Sequence, residues 1–185
     1  MKEDRRKVVD TVMNATFWLR FKAFVIDYVL ILAYLALLLV LSLFLLPSVQ
    51  EWFKQSLIVA QFAGFIVVTL PVSLYFMISD SAIGRQSFGK KRVGIQVVDK
   101  NGAALSLGHS TLRTILKFLP WELSHYFVYR ITHVEDGEMP LHHVLTGGLI
   151  YILILVYILS AIFTKRKQSL YDLIAKTQVV KISPK

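Results

Sequence analysis

The length of the uncharged apolar runs constrains this chain more than anything else in it. Residues 23–46 carry a single charge, Asp27, and residues 57–78 and 144–163 carry none. Each run reaches the roughly 20 residues that a helix needs to cross about 30 Å of hydrocarbon. In lipid the backbone must satisfy its own hydrogen bonds, so such runs predict transmembrane helices. A hydrophobic content of 55% and a mean hydropathy of +0.57 are too apolar for an ordinary soluble domain. The charged residues that precede the first run (Lys2, Glu3, Asp4, Arg5, Arg6, Lys7, Asp10) and its length argue against a cleaved signal peptide, so the N-terminus is expected to be retained. The chain has no cysteine, which excludes disulfides, thiolate metal sites and cysteine nucleophiles.

Topology follows from the positive charges. The formal charge of +9 is concentrated in three blocks, with six Lys or Arg each in residues 2–22, 85–113 and 165–185. Blocks beside apolar segments read as loops facing anionic lipid rather than as a nucleic-acid surface. If all three are cytoplasmic, two crossings separate the first from the second: residues 23–46 and 57–78, joined by an outer loop around Pro47, Glu51 and Trp52. Two more separate the second from the third: residues 144–163 and, before them, residues 111–129. That last segment is marginal in hydropathy because it holds Arg113, Lys117, Pro120, Glu122 and His125. The loop after it, residues 131–143, has three acids and no Lys or Arg, as an outer loop should. A helix lying flat in the interface is the alternative.

The expected architecture is an all-α integral membrane protein with four transmembrane helices as two parallel hairpin repeats, plus a small cytoplasmic β-hairpin or sheet. It divides into a basic N-terminal segment (1–22), a first hairpin (23–78), a cytoplasmic loop with a β-hairpin (79–110), a second hairpin (111–163) and a cytoplasmic tail with an amphipathic segment and a strand (164–185). The repeat is suggested by a spacing of 82 residues: Gln86-Ser87-Phe88 matches Gln168-Ser169-Leu170, and Gln96-Val97-Val98 matches Gln178-Val179-Val180. Leu19-Arg20 and Leu112-Arg113 open the two hairpins alike. Convergent juxtamembrane chemistry is the other explanation. Alternation at Val93, Ile95 and Val97 before Asn101-Gly102 predicts a type I′ turn with residues 103–107 returning, and residues 178–182 could add a third strand.

Asp27 is the first candidate site residue, because an ionised carboxylate at this depth costs at least about 2.5 to 3.5 kcal/mol and needs a partner, water or a proton. Arg20, seven residues earlier, lies on the same helical face. Glu122 and His125, spaced i and i+3 after Pro120, form a second candidate pair able to bind a cation or relay protons; a mutual hydrogen bond is the plainer alternative. Pro120 also frees a carbonyl that could coordinate a cation. Asp172 is either the N3 residue of a capping box on Ser169 or a partner of Arg20 in an Arg/Asp/Asp cluster with Asp27.

Lys90, Lys91 and Arg92 are expected on lipid headgroups. Gly84 to Lys90 has the glycine and lysine spacing of a phosphate-binding loop, but Lys91 stands where Ser or Thr is required, which argues against it. The loop residues His133, Glu135, Asp136, Glu138, His142 and His143 match no defined ligand spacing, so no metal site and no cofactor are assigned. No nucleophile has the context of an enzyme.

Arg20 at the opening of the first helix, Asp27 within it, Gly89-Lys90 with Gly94 and Val97-Val98, and residues 166–180 together resemble the RDD family, named for one arginine and two aspartates. Arg20, Asp27 and Asp172 fit the signature, and the match runs from residue 20 to residue 180. The resemblance implies a small multi-pass protein of the bacterial cell (inner) membrane with both termini cytoplasmic. It also implies that monovalent cation/proton antiport, associated with some members, is a candidate activity. Two functions are therefore expected: a transporter exchanging Na⁺ or a similar cation for protons through Asp27, Glu122 and His125, with Arg20 and Asp172 gating, or a non-transporting scaffold that binds a membrane partner. Either favours a homo-oligomer, with Ala60, Gly64 and Gly147-Gly148 as small-residue contact surfaces.

Overall fold

The computed structural model describes residues 13–44, 50–51, 55–132 and 139–182. The charges at residues 2–10, Pro47 and Trp52, and His133, Glu135, Asp136 and Glu138 lie outside the described residues. Helix α1 spans Phe17–Phe44. A second rod, Leu57–Ser79, is built from α2 (Leu57–Gly64), a π-helical turn (Phe65–Thr69) and α3 (Leu70–Ser79). A short helix α4 (Phe88–Val93) leads into strand β1 (Ile95–Asp99). Two long helices follow, α5 (Leu107–Ile131) and α6 (Leu141–Phe163), then a single turn α7 (Leu170–Ile174) and strand β2 (Thr177–Lys181).

Three of these helices are long and apolar enough to cross a membrane: α1, the Leu57–Ser79 rod and α6. Only 11% of the most apolar window of α1 and of α6 is buried inside the chain. Their remaining surface is a continuous apolar coat, as a lipid-facing helix requires. Helix α5 has the length but not the hydropathy.

Two prolines would leave orphan carbonyls in these helices, and both are answered in the same way. Pro71 has no N–H for Val67 four residues earlier, and Pro120 has none for Leu116. The Tyr34 hydroxyl donates to the Val67 carbonyl at 2.6 Å, and the Tyr157 hydroxyl donates to the Leu116 carbonyl at 2.6 Å. Each tyrosine comes from one of the lipid-facing helices. The carbonyl freed by Pro120 is thus already engaged within the chain.

The buried apolar cluster sits where the helices meet the strands. Ala15, Ala23, Ile95, Val97, Leu105 and Val179 form it, with Leu19 and Val93 packed alongside. Strands β1 and β2 pair antiparallel, with Val97 opposite Val179 at the centre of the register. The tail therefore docks on the central loop, as expected, but as the second strand of a two-stranded sheet. The expected hairpin return is reduced to an isolated bridge between Val98 and Ala104. Its turn also differs from the type I′ expectation: Gly102 is left-handed at φ 83° whereas Asn101 is not. The cause is Asp99, whose carboxylate accepts the N–H of Asn101 at 2.8 Å and of Ala103 at 2.9 Å and so fixes the turn from within. Val93 belongs to α4, which Gly94 ends in a left-handed cap at φ 71°.

Local structure recurs at the 82-residue spacing. Gln86 Nε2 donates to the Ile95 carbonyl at 2.8 Å and Gln168 Nε2 to the Thr177 carbonyl at 2.6 Å. Positive φ values occur at Arg85 (64°) and Lys167 (54°), and at Gly94 (71°) and Lys176 (52°). Ser87 and Ser169 are the N-caps of α4 and α7.

Replacing Tyr34 by Phe leaves the Val67 carbonyl without a donor in apolar surroundings, a cost of about 1–3 kcal/mol. Tyr34→Phe is expected to lower the apparent melting temperature of the detergent-purified protein, whereas Tyr151→Phe, at a ring 71% exposed on α6, leaves it unchanged.

Candidate functional site

The polar side chains gather in two places. At the strand end of the helices lies a buried chain of alternating charges. Arg20, one turn into α1, donates to the Asp172 carboxylate and to the Lys167 carbonyl, with the Tyr171 hydroxyl at 3.3 Å. Asp172 also receives Arg113 at 2.9 Å and the Thr177 hydroxyl at 3.1 Å. Arg113 reaches across to Asp80 at 2.9 Å, and Asp80 in turn holds Lys90 at 2.6 Å. Asp80 and Asp172 have no exposed side-chain surface and Arg113 has 2%. The order is Arg20, Asp172, Arg113, Asp80, Lys90.

Asp172 closes the capping box on Ser169 and also binds Arg20 and Arg113, but the expected cluster with Asp27 does not form. Asp27 stands apart from this chain. Its carboxylate receives Ser87 Oγ at 2.6 Å, the Gly89 N–H at 2.7 Å and the Tyr75 hydroxyl at 3.1 Å. Tyr75 accepts the Phe88 N–H at 2.8 Å. Asp27 therefore clamps the start of α4 against α1, and Arg20 is directed to Asp172 instead of Asp27. The approach is tight enough to demand glycine: a Cβ on Gly89 would lie 2.1 Å from the Ala23 carbonyl oxygen.

Lys90 turns inward to Asp80, and Lys91 and Arg92 are exposed, Arg92 over the Phe88 ring at 5.2 Å. Sequence reasoning missed Asp80 and Arg113 as partners because each resembles an ordinary anchor at a membrane edge. Asp80 did carry a signal, as the only acid between the second apolar run and the basic block that follows.

The second polar group lies along the contact between the Leu57–Ser79 rod and α5, which run antiparallel. Gln61 meets Arg130 at 3.0 Å. Thr69, in the last position of the π turn, donates to Glu122 at 2.8 Å and lies 3.4 Å from His125 Nδ1. Glu122 and His125 are 3.6 Å apart, each with 31% of its side chain exposed. Phe76 meets Lys117, whose ammonium lies 3.6 Å from the ring centre, and Asp80 meets Arg113. Arg113, Glu122 and Arg130 thus each find a polar partner on the rod at matching depth, while Lys117 rests on the Phe76 ring instead. Gly64 is consumed within this interface, because a Cβ there would lie 2.6 Å from the Tyr129 hydroxyl. Asp27 and Glu122 share no hydrogen-bond partner among the described residues, so the two carboxylates belong to different places. Among the described residues there is no cluster of three metal-ligating side chains.

Burial alone would push the Asp80 and Asp172 carboxyls up. For Asp80 the Lys90 ammonium, then Arg113 and Lys117, outweigh burial, and for Asp172 Arg113 and Arg20 do so, which holds both below the ordinary carboxylate range. An unfolded Asp titrates near about 3.9, so the stabilisation is fully present above that value and is lost as the pH falls through the lower folded values. The apparent melting temperature is expected to be steady from neutral pH down to about pH 5 and to fall steeply below about pH 4. Asp172→Asn leaves Arg20 without its carboxylate and Arg113 with Asp80 alone, at a cost of about 3–5 kcal/mol. The variant is expected to melt much earlier at neutral pH and to show a shallower acid decline, both read from thermal unfolding in neutral detergent.

A protein of Bacillus subtilis (strain 168) described as uncharacterized protein YxaI is 23% identical to this chain over 176 residues, which cover 90% of the chain and 96% of that protein. No solved structure matches. The sequence profile of the RDD family matches residues 14–176 and takes in Arg20, Asp27, Asp80, Arg113 and Asp172, and the chain belongs to the RDD family of membrane proteins.

Proposed function

We propose that the chain is a four-helix transporter that exchanges a monovalent cation for protons at Glu122 and His125, with the Arg20–Asp172 contact closing the strand end. The observation that carries this reading is the meeting of Glu122, His125 and Thr69 at the π turn. A carboxylate and an imidazole at bilayer depth are costly to keep without a function, and π turns inside α-helices recur at functional sites. About a third of each side chain is exposed on the surface of the single chain. Two groups that each bind a proton or yield it to a cation are the minimum chemistry of exchange.

The reading needs α5 to cross the bilayer. Its 25 residues extend about 37 Å, enough for a hydrocarbon core of about 30 Å. Its polar contacts follow the rod from Gln61 to Asp80, so a bilayer around one contains the other. The positive-inside rule then places the strand end and both termini in the cytoplasm of a bacterial cell. The recurring glutamine bonds and left-handed positions, 82 residues apart, support two parallel hairpin repeats. Asp27, whose oxygens are filled by three donors, contributes by fixing α4 rather than by binding the transported ion. Self-association would cover the half-exposed face around Glu122 and His125.

Reconstituted in liposomes with an internal pH dye and a proton gradient, the protein is expected to release protons on external addition of Na⁺, Li⁺ or K⁺ but not choline. Glu122→Gln is expected to abolish that flux and Lys91→Ala to leave it intact. An absence of flux from correctly inserted wild-type protein would overturn the reading in favour of a membrane scaffold, whose signature is a partner copurifying in fixed ratio.

A further inference from the structure

At the strand end, α1 and α6 make little direct contact, and a cavity of about 370 Å³ opens between them. Its inner wall carries the cations Arg20, Lys90, Arg113 and Lys117. Its outer wall is Phe21, Phe24 and Ile158, which are also half-exposed on the lipid-facing surface. The cavity surface is therefore mostly apolar, with charge-bearing residues behind its inner end, and its mouth opens on the lipid-facing surface.

The charges along the inner wall do not balance. Arg20, Lys90 and Arg113 are engaged by Asp172 and Asp80. Asp27, the only carboxylate on the wall among the described residues, has its oxygens engaged by Tyr75, Ser87 and Gly89. Lys117 is left over. Among the described residues it has no carboxylate within 4 Å, and its ammonium rests on the rings of Phe76 at 3.6 Å and Phe118 at 5.1 Å. Counted by formal charge, four cations meet three carboxylates, an excess of one. A buried ammonium without an anion is costly, and an anion entering the cavity would supply the missing charge together with charge-assisted hydrogen bonds.

We infer that this cavity binds the phosphate headgroup of an anionic membrane lipid, with Lys117 as its principal counter-charge and the acyl chains leaving between α1 and α6. The inference does not rest on the transport reading. A volume of about 370 Å³ is at the small end of ligand pockets, which suits one headgroup and the first part of a chain. The apolar mouth selects an amphiphile over a free anion, and the excess of one cation favours an anionic head, such as that of phosphatidic acid, over a zwitterionic one. This site is separate from Lys91 and Arg92, which are exposed and could attract lipid only as surface charges.

The test uses the full chain in neutral detergent, with retained lipid read by native mass spectrometry and stabilisation by thermal unfolding. Phosphatidic acid is expected to be retained as one molecule per chain and to raise the melting temperature, while phosphatidylcholine and inorganic phosphate do neither. Lys117→Met replaces an unpaired cation by an apolar side chain of similar length, so it is expected to fold. Retention of phosphatidic acid by this variant should drop by about tenfold or more, equivalent to about 1.4 kcal/mol. Lys117→Arg should keep most of it, and Arg92→Gln should keep all of it. Equal retention by wild type and Lys117→Met would overturn the inference, as would loss in Arg92→Gln instead. Stabilisation by inorganic phosphate as strong as that by phosphatidic acid would likewise overturn it, by showing that the site takes a soluble anion.

Discussion

Arg113 sits between Asp80 and Asp172, and that double ion pair ties together segments that otherwise have little reason to meet. Asp80 ends the Leu57–Ser79 rod, Arg113 lies in the second turn of α5, and Asp172 follows α6 and is shared with Arg20 of α1. All four long helices are thus joined at one end through four adjoining charges, Asp80, Arg113, Asp172 and Arg20. Between helices in lipid there is no hydrophobic drive, because the tails are as apolar as leucine, and close packing and polar contacts do the ordering. A buried ion pair adds little net stability over apolar residues of the same shape. What this one supplies is registry, since sliding any one of the helices by a turn would leave a bare charge.

The same logic would let a polar helix sit in the membrane beside the rod, as the proposed fourth crossing requires. Helix α5 carries Arg113, Lys117, Glu122, His125 and Arg130, a composition that reads as interfacial when hydropathy is averaged along it. The average hides the arrangement. Arg113, Glu122, His125 and Arg130 are met from the neighbouring rod by Asp80, Thr69 and Gln61, and Lys117 lies on the Phe76 ring without a counter-charge among the described residues. The two prolines fit this scheme as well, because the carbonyls they free are met by Tyr34 and Tyr157 from outside the pair. The cost of polar groups and broken backbone is met by contacts between helices, at positions fixed by the shared registry at the strand end.

How much of this could be read from the sequence depends on whether the contact was local. The apolar runs fixed three helices through length alone. Asp172 was legible as a cap because Ser169 is three residues away, and the docking of residues 178–182 was legible because a lone hairpin is marginal and a matching Gln-Val-Val was at hand. Asp27 shows where such reasoning stops. Helical spacing places Arg20 on its face, but the groups that reach it, Ser87 and the Gly89 N–H, arrive from a segment 60 residues later whose approach depends on Gly89 lacking a Cβ. The turn at residues 99–102 failed for the opposite reason. Asn101-Gly102 was read as a pair, whereas the Asp99 side chain, two residues earlier, sets the backbone.

The two polar regions differ in what they allow to move. At the strand end, five charged groups are bound to one another in an almost fully buried chain. Opening that end means separating Arg20 from Asp172 or Arg113 from Asp80, either of which exposes a charge that only water or a mobile ion could match. At the π turn the contacts are fewer, Glu122 and His125 are about a third exposed, and the backbone is already off its regular ladder. If an ion is exchanged at Glu122, the structure is the form in which the strand end is shut, and the energetic barrier to the other form lies in the arginine pairs rather than at the exchange site. A bound anionic headgroup at Lys117 would lie between the two regions, one helical turn from Arg113. Lipid there would add a negative charge beside the guanidinium groups and so compete with Asp80 and Asp172 for them. The charge chain is then where lipid composition would set the balance between closed and open forms.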